Sequence, residues 1–354
     1  MHKKTQITIK DIAKELGISP STVSKALKDH SDISDETKKA VRELVEKLNY
    51  RPDPIALSLK IGQSKTIGVI IPEIVHYFFS TVISGIEDEA YNSGYQVIFC
   101  QSNESYDREV RAVETLLSGR VDGILVSMSK TTDKYDHFKK IKEYGIPLVF
   151  FDRICEELET DKVIVDDEEG AFCAVSHLIN EGCREIVHLA GPQNLKIAQE
   201  RMKGYIRAIL KAGLTIKEEN IIKCDTVNDA RLIVPGLIKR ENRPDGIFAV
   251  NDLTAAEAMK VIKASGLNIP EDISVVGFTS GMISDLTDPP LTSVEQHGYE
   301  IGREAAKLLI GRIENKISGE FITRIIKTEL IIKKSSWKFQ TSLPRQGSNL
   351  RPTD

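Results

Sequence analysis

The sequence predicts an N-terminal all-α helix-turn-helix head followed by an α/β body of two doubly wound parallel-sheet lobes. Three observations carry that prediction. Residues 8–49 contain three short runs of helical periodicity, two of them opened by a serine suited to capping. From Thr66 onward, apolar runs of strand length alternate with helical stretches. Eight such runs are present, which points to two doubly wound lobes rather than one sheet.

In the head, Ile9, Ile12, Ala13 and Leu16 fall on one face of a first helix, and Gly17 ends the run. Ser19 is a good N-cap, and Pro20 occupies the first helical position, where its missing N–H costs nothing. The second helix turns Val23, Ala26 and Leu27 inward and is expected to end near Asp29. A third opens at Ser34, with Asp35 and Glu36 favourable to its dipole, and is expected to run to about Asn49. The outer face of the second helix carries Ser21, Thr22, Ser24, Lys25 and Lys28. Small hydroxyls and lysines suit a polar, negatively charged partner, and in a helix-turn-helix this helix enters the major groove. A three-helix bundle without a ligand is the alternative on spacing alone.

The strand runs of the body are "TIGVIIP", "YQVIFC", "DGILVSM", "PLVFFD", "KVIVDD", "REIVHLAG", "DGIFAVND" and "ISVVGF". Helical stretches between them are expected over residues 79–92, 108–117, 168–180, 200–212, 253–265 and 301–315. Near-continuous Val/Ile runs covered by helices indicate parallel strands buried on both faces. The set repeats near Val163, which places the lobe boundary around Cys155–Lys162, and "LTSVEQ" near Leu291 is expected to cross back to the first lobe. In such sheets ligands bind at the carboxyl ends of the strands. The residues there are Phe78, Phe79, Ser127, Asp152 and Arg153 in the first lobe, Arg201, Asn251, Asp252 and Thr279 in the second, and Gln296 on the crossover. Aromatic rings among carboxylate, amide and guanidinium groups suit a polyhydroxylated ligand. Taken singly, Phe78 and Phe79 also suit a core, Arg153 and Arg201 suit ion pairs between lobes, and Asp252 suits a helix cap.

Composition narrows the classes. The 354 residues are 41% hydrophobic and 28% charged, with a net charge of -4. Residues 1–60 hold 12 Lys and Arg against 9 Asp and Glu, leaving 36 against 43 for the remainder. A mildly basic head on an acidic body fits nucleic-acid contact confined to the head. The five cysteines show no C-x-x-C and no metal-ligand spacing, which fits reduced thiols and no metal site. No secretory leader and no membrane span are read, so a cytoplasmic location is expected. No G-x-G-x-x-G, Walker loop, G-x-S-x-G or H-E-x-x-H appears, and the acidic residues 166–169 read as helix caps. Neither an enzyme nor a cofactor is expected.

The head sequence "TIKDIAKELGISPSTVSKALKDHSDISDETKKAVRELVEKLNYRPDPIALSLK" resembles the DNA-binding head of the lactose-repressor/galactose-repressor (LacI-type) family through "IKDIA", "S-x-x-TVS-x-AL", "S-x-ET-x-x-V" and "LNY-x-P". The resemblance implies base reading by Pro20, Ser21 and Lys25, with phosphate contacts from Thr8, Ser19, Thr22 and Ser24. The Lys25 position is more often Arg in that family, and Lys lacks the bidentate fork. The segment "RPDPIALSLK" can start a helix at Pro54, but one this short is marginal in water. It reads as a plain linker or, by the resemblance, as a hinge that folds on DNA and wedges Leu59 into the minor groove. The body resembles the periplasmic-binding-protein-like effector domain of the same family, which implies that Phe78, Phe79, Ser127, Asp152, Arg201, Asn251 and Gln296 line an effector cleft. Thr279 stands where relatives commonly carry an Asp. The expected domains are 1–51 (head), 52–64 (hinge), 65–334 (effector binding and dimerisation) and 335–354 (a disordered tail). The expected function is an operator-binding repressor, homodimeric and controlled by a small molecule, in the first instance a carbohydrate. A solute-binding or sensor protein and an activator on the same scaffold are the alternatives.

Overall fold

The structure, a computed structural model, describes residues 7–50 and 63–337. The chain divides into two compact units, Met1–Lys65 and Thr66–Asp354. The first contains α1 (Ile9–Glu15), α2 (Pro20–Leu27) and α3 (Asp35–Lys47). Each begins where a side chain answers the free donors of a helix start. The Asp11 carboxylate accepts from both the backbone N–H and the hydroxyl of Thr8. Ser19 Oγ accepts from Thr22 N at 3.0 Å, and Ser34 Oγ from Thr37 N at 3.3 Å. The helices close around Ile12, Ala13, Val23, Ala26, Val41 and Leu44, all buried. Asp29 and Asn49 take positive φ (58° and 47°), so α2 and α3 stop short of the expected ends. Leu59 and residues 51–62 lie outside the described residues, as do 338–354 of the tail.

In the second unit, β1 (Thr66–Ile71), α4 (Tyr77–Asn92), β2 (Gln96–Gln101), α5 (Tyr106–Ser118), β3 (Gly123–Val126), α6 (Asp136–Glu143), β4 (Leu148–Phe151) and β5 (Asp161–Val165) build lobe one. Lobe two contains α7 (Asp167–Asn180), β6 (Ile186–Ala190), α8 (Lys196–Lys211), β7 (Ile221–Lys223), α9 (Val227–Leu237), β8 (Gly246–Ala249), α10 (Asp252–Ala264), β9 (Ser274–Thr279), α11 (Met282–Leu286) and β10 (Thr292–Glu295). The chain then returns to lobe one for α12 (Gly298–Ile313) and β11 (Thr323–Ile326), and ends in lobe two with β12 (Glu329–Ile331). The sheet orders are β11-β5-β4-β3-β1-β2 and β12-β10-β9-β8-β6-β7. Every pairing is parallel except β12 on β10. Central strands such as β3 and β6 are buried along their whole length, as their unbroken apolar runs require.

Two expectations about the lobes are corrected. β5 pairs with β4 and β11 in the first sheet, so the chain leaves lobe one at Asp166, not within Cys155–Lys162. "LTSVEQ" forms β10 of the second sheet, and the return comes at Gln296 and His297. An apolar run does not record which sheet it will join; tertiary pairing decides. With the step at Lys327 and Thr328, three connections join the lobes. Asp166 ties the first to the third: its carboxylate accepts from Thr328 N at 2.7 Å and Thr328 Oγ1 at 2.8 Å, with Lys327 Nζ at 3.1 Å. Asp166 holds the N-cap position of α7, as expected, but its side chain makes no cap bond there and serves Thr328 and Lys327 instead. Ser335 and Ser336, assigned to the tail, are buried, because β9 draws the chain alongside. Val275 N donates to Ser335 O at 2.9 Å, and Ser335 Oγ donates to Val275 O at 2.6 Å.

On lobe one, α4 and α12 lie together with their backbones nearly touching. A Cβ on Gly302 would stand 2.0 Å from Val82 O, and one on Gly85 2.0 Å from Tyr299 O. Beneath them the core takes Val82 and Ile86 from α4 and Ile301, Ala305, Leu308 and Leu309 from α12.

Candidate functional site

The outer face of α2 is built by its cap. Ser19 Oγ lies 2.6 Å from Ser21 Oγ and 2.8 Å from Thr22 Oγ1, so three hydroxyls gather at the helix start. Thr8, Ser19, Pro20, Ser21 and Lys25 are exposed, while Thr22 and Ser24 are half-buried. Lys25 Nζ rests 3.4 Å from Asp32, both exposed, a weak pair that a phosphate or a base edge can replace.

In the body, the ends of β3 and β4 bring Ser127, Asp152 and Arg153 together. Ser127 Oγ donates to Asp152 Oδ2 at 3.3 Å. Burial raises the Asp152 carboxyl above its ordinary range, against the pull of Arg153 and Arg201. Asp152 and Thr279 both adopt positive φ (58° and 134°), a strained state for a non-glycine and most of all for a β-branched residue. Arg153 NH1 grips both oxygens of Glu104 (2.8 and 2.9 Å), and its guanidinium carbon sits 5.9 Å from the centre of the Phe79 ring. Facing them from lobe two, Arg201 donates from Nε to Asp167 at 2.8 Å and from NH1 to Val250 O at 2.7 Å, over the Phe278 ring at 3.7 Å. Burial pushes Asp167 up to about 6 in spite of Arg201. Among the described residues neither arginine makes an ion pair between the lobes. Polar contacts that bridge the lobes include Lys130 Nζ to Asp225 (3.6 Å), Asn194 Nδ2 to Lys130 O (2.7 Å) and Lys196 Nζ to Glu156 (3.0 Å).

A cavity of about 360 Å³ is lined by Tyr77, Phe78, Thr279, Glu295 and His297, among others; of the expected effector residues it touches Phe78 and Thr279 and none of Ser127, Asp152, Arg153, Arg201 or Gln296. Thr279 Oγ1 donates to Gln296 Oε1 at 3.2 Å, while the buried Gln296 Nε2 has no partner among the described residues. Phe78 and Phe79 are both part of the lobe-one core, their ring centres 5.2 Å apart, with Phe78 also reaching the cavity wall. Asn251 caps α10 through Oδ1 to Thr254 N (2.9 Å) and donates from Nδ2 to Asp225 O (3.0 Å). Asp252 is not brought to the others: its buried carboxylate accepts from Gly281 N and Ser293 Oγ, which corrects its reading as a cleft residue. The sequence reading missed Tyr77, Glu104, Lys130, Asp167 as the partner of Arg201, and Asp225. Fully buried Glu109 also went unremarked; it accepts from Ser129 N, Thr132 Oγ1 and His137 Nε2, fixing the loop that carries Lys130. Among the described residues no cluster is placed to hold a metal ion.

His188, on β6, is buried between the rings of Tyr205 and Phe248, with Nδ1 donating to Phe248 O at 3.1 Å. Burial pushes its imidazole from 6.5 down to about 4. The unfolded chain therefore takes up this proton first, and the stability due to neutral His188 is lost as the pH falls from about 6.5 towards 4. Asp167 and Asp252, both pushed up to about 6 by burial, act in the opposite sense. In urea unfolding at pH 7, 6 and 5, His188→Gln should gain on the parent by up to ~1.4 kcal/mol per pH unit within that window. A constant difference would show that His188 is not the titrating group.

Residues 8–53 match the family described as bacterial regulatory proteins, lacI family, and residues 64–334 match periplasmic binding proteins and sugar binding domain of LacI family. The HTH-type transcriptional repressor PurR of Vibrio campbellii is 34% identical over 313 residues, covering 87% of this chain and 92% of that protein. The transcriptional regulator CelR–cellobiose complex is similar in structure, with TM-score 0.72 and 28% identity over 93% of this chain and 99% of that one. A periplasmic binding protein/LacI transcriptional regulator from Alkaliphilus metalliredigens QYMF, complexed with D-xylulofuranose, has TM-score 0.65 and 29% identity over 77% and 99%. The lac repressor dimer bound to operator and the anti-inducer ONPF shares the fold, with TM-score 0.82 and 24% identity over 94% and 99%.

Proposed function

The chain belongs to the LacI family of bacterial regulatory proteins, and from that premise we propose that it represses transcription by binding operator DNA as a homodimer, under control of a small carbohydrate effector. The observation that carries the DNA half is the outer face of α2, where exposed hydroxyls and Lys25 surround a capped helix start. On this reading Pro20, Ser21 and Lys25 meet base edges, and Thr8, Ser19, Thr22 and Ser24 meet phosphates. Leu59 wedges into the minor groove of a near-palindromic site. The repressor names of the sequence relatives support this reading over an enzyme. On the same reading Phe78, Ser127, Asp152, Arg153, Arg201, Thr279 and Gln296 line the effector cleft, with Phe79 and Asn251 in support; the grouping of Ser127, Asp152 and Arg153 at the ends of β3 and β4 supports it. The carbohydrate half rests on the cellobiose and D-xylulofuranose of the two structural relatives.

A second copy suits the apolar surface on which Tyr77 lies against Gly281, with Ile74, Val75, Met282 and Leu286 exposed. Effector binding would change the angle between the lobes about their three connections, and a coupling of about 1–3 kcal/mol gives a 5–150-fold change in operator affinity. Among the described residues no helix is long and apolar enough to cross a membrane, and the proposed site of action is cytoplasmic DNA.

The test is selection of duplexes from a random pool by the full-length chain, followed by anisotropy titration of the selected and scrambled sequences. Lys25→Ala should weaken the selected duplex by roughly 10- to 100-fold and the scrambled one far less. A chain with no preference among duplexes at physiological salt would end the proposal.

A further inference from the structure

We propose that a latch centred on Lys130 holds the two lobes closed before any small molecule binds, and that Glu104 ties this latch to Arg153. The latch is a property of the body alone and does not depend on the regulator reading.

All three connections between the lobes leave from strands at one edge of the sheets, at the ends of β5, β10 and β11. The strand orders put β2 and β7 at the opposite edges. Glu104 follows β2, Lys130 follows β3, Asn194 follows β6 and Asp225 follows β7. With neighbouring strands about 4.8 Å apart, β7 lies four strands, or roughly 19 Å, from β10. A contact placed there resists opening with nearly the full width of the sheet as its lever.

Lys130 is held rigidly on its own lobe. Fully buried Glu109 accepts from Ser129 N at 2.7 Å and Thr132 Oγ1 at 2.6 Å, one residue before Lys130 and two after it. Glu104 Oε2 accepts from Lys130 N at 2.8 Å, and Glu104 O accepts from Thr131 Oγ1 at 2.9 Å. From lobe two, Asn194 Nδ2 donates to Lys130 O at 2.7 Å and the Asp225 carboxylate lies 3.6 Å from Lys130 Nζ. A loop fixed in this way cannot follow a departing lobe, so opening must break the contacts with Asn194 and Asp225. Each end of the latch also reaches a residue expected in the cleft. The Glu104 carboxylate holds Arg153 NH1 at 2.8 and 2.9 Å, and Asp225 O accepts from Asn251 Nδ2 at 3.0 Å.

The test is the distance between nitroxide labels on Lys134→Cys and Asn228→Cys, both exposed and on opposite lobes, read by pulsed electron paramagnetic resonance. The background carries Cys100→Ser and Cys173→Ser, because these two thiols are not buried. The full-length labelled chain, without DNA or added small molecules, is diluted into excess unlabelled chain so that distances within one chain dominate. The parent should give a single short distance. Lys130→Met should shift the closed-to-open ratio roughly 3- to 10-fold towards a longer one, and adding Asn194→Ala should shift it by a similar further factor. Salt at about 1 M should open the parent more than it opens Lys130→Met, since the ion pair is partly exposed. Glu104→Gln should open part of the population although it touches no residue of lobe two. Thermal midpoints of these variants should stay near the parent's; if Lys130→Met fails to fold, Asp225→Asn removes the same ion pair from the other side. The latch is overturned if the double variant keeps the parent's distance, or if the parent already mixes short and long distances. An unmoved Glu104→Gln overturns the tie to Arg153. None of these readings uses DNA, so failure of the latch leaves duplex preference standing, and loss of duplex preference leaves the latch.

Discussion

Arg201→Ala should lower the stability of the body by about 3–5 kcal/mol at pH 8 and abolish the effector response, while leaving operator binding by the folded protein intact. The size follows from what the guanidinium leaves behind. Asp167 would be a buried carboxylate without its cation, Val250 O would lose a 2.7 Å bond, and the Phe278 ring would lose the group stacked on it. The loss should depend on pH in a defined direction. Burial penalises the charged form of Asp167, which even beside Arg201 titrates at about 6, and without Arg201 it rises further. The penalty is therefore full above that value and shrinks once acid neutralises the group. Urea unfolding of parent and variant at pH 8 and pH 5 reads this directly; an equal loss at both would show that the stranded carboxylate is not the cause.

Gly302→Ala should cost about 3 kcal/mol or more, at or above the upper end of the usual range for overpacking. The obstacle is backbone: the new methyl would meet Val82 O at 2.0 Å and Val82 C at 2.9 Å, and neither can rotate away. α12 would have to lift from α4 and loosen the contacts of Ile301, Ala305 and Leu309. Gly85→Ala meets the same helix pair at Tyr299 O, so one separation accommodates both methyl groups. The double variant should cost clearly less than the two single losses added, which thermal unfolding of all four proteins will measure. Full additivity would mean that the two glycines act independently.

The head was almost wholly legible in the sequence, because its determinants are local. Ser19, Pro20 and Ser34 sit within three residues of the N–H groups they serve or replace, and the inward residues keep helical spacing. The parallel strands were legible for a similar reason, since burial on both faces leaves an apolar run. The assignment of β5 to lobe one was not, and β7, β11 and β12 were not legible because these edge strands mix exposed with half-buried residues instead of forming a buried apolar run. Asp252 shows a finer limit. It follows Asn251 at the end of a strand, yet it opens α10, where one residue turns the side chain through about 100°, away from the cleft and towards Ser293. The pairing of Arg153 with Glu104 spans 49 residues, and nothing local marks it.

The three passages of the chain between lobes also set an order of assembly during synthesis. The first sheet is begun by residues 66–71, yet its edge strand is residues 323–326, and the helix that covers one of its faces is residues 298–313. A ribosome that has delivered β10 has released nearly all of lobe two, but lobe one still waits with an uncovered apolar face. The lobe translated first thus receives its covering helix after most of the other lobe has been made, and each sheet takes an edge strand from the last residues of the body. A nascent chain halted near residue 297 should therefore engage chaperones through its N-terminal half.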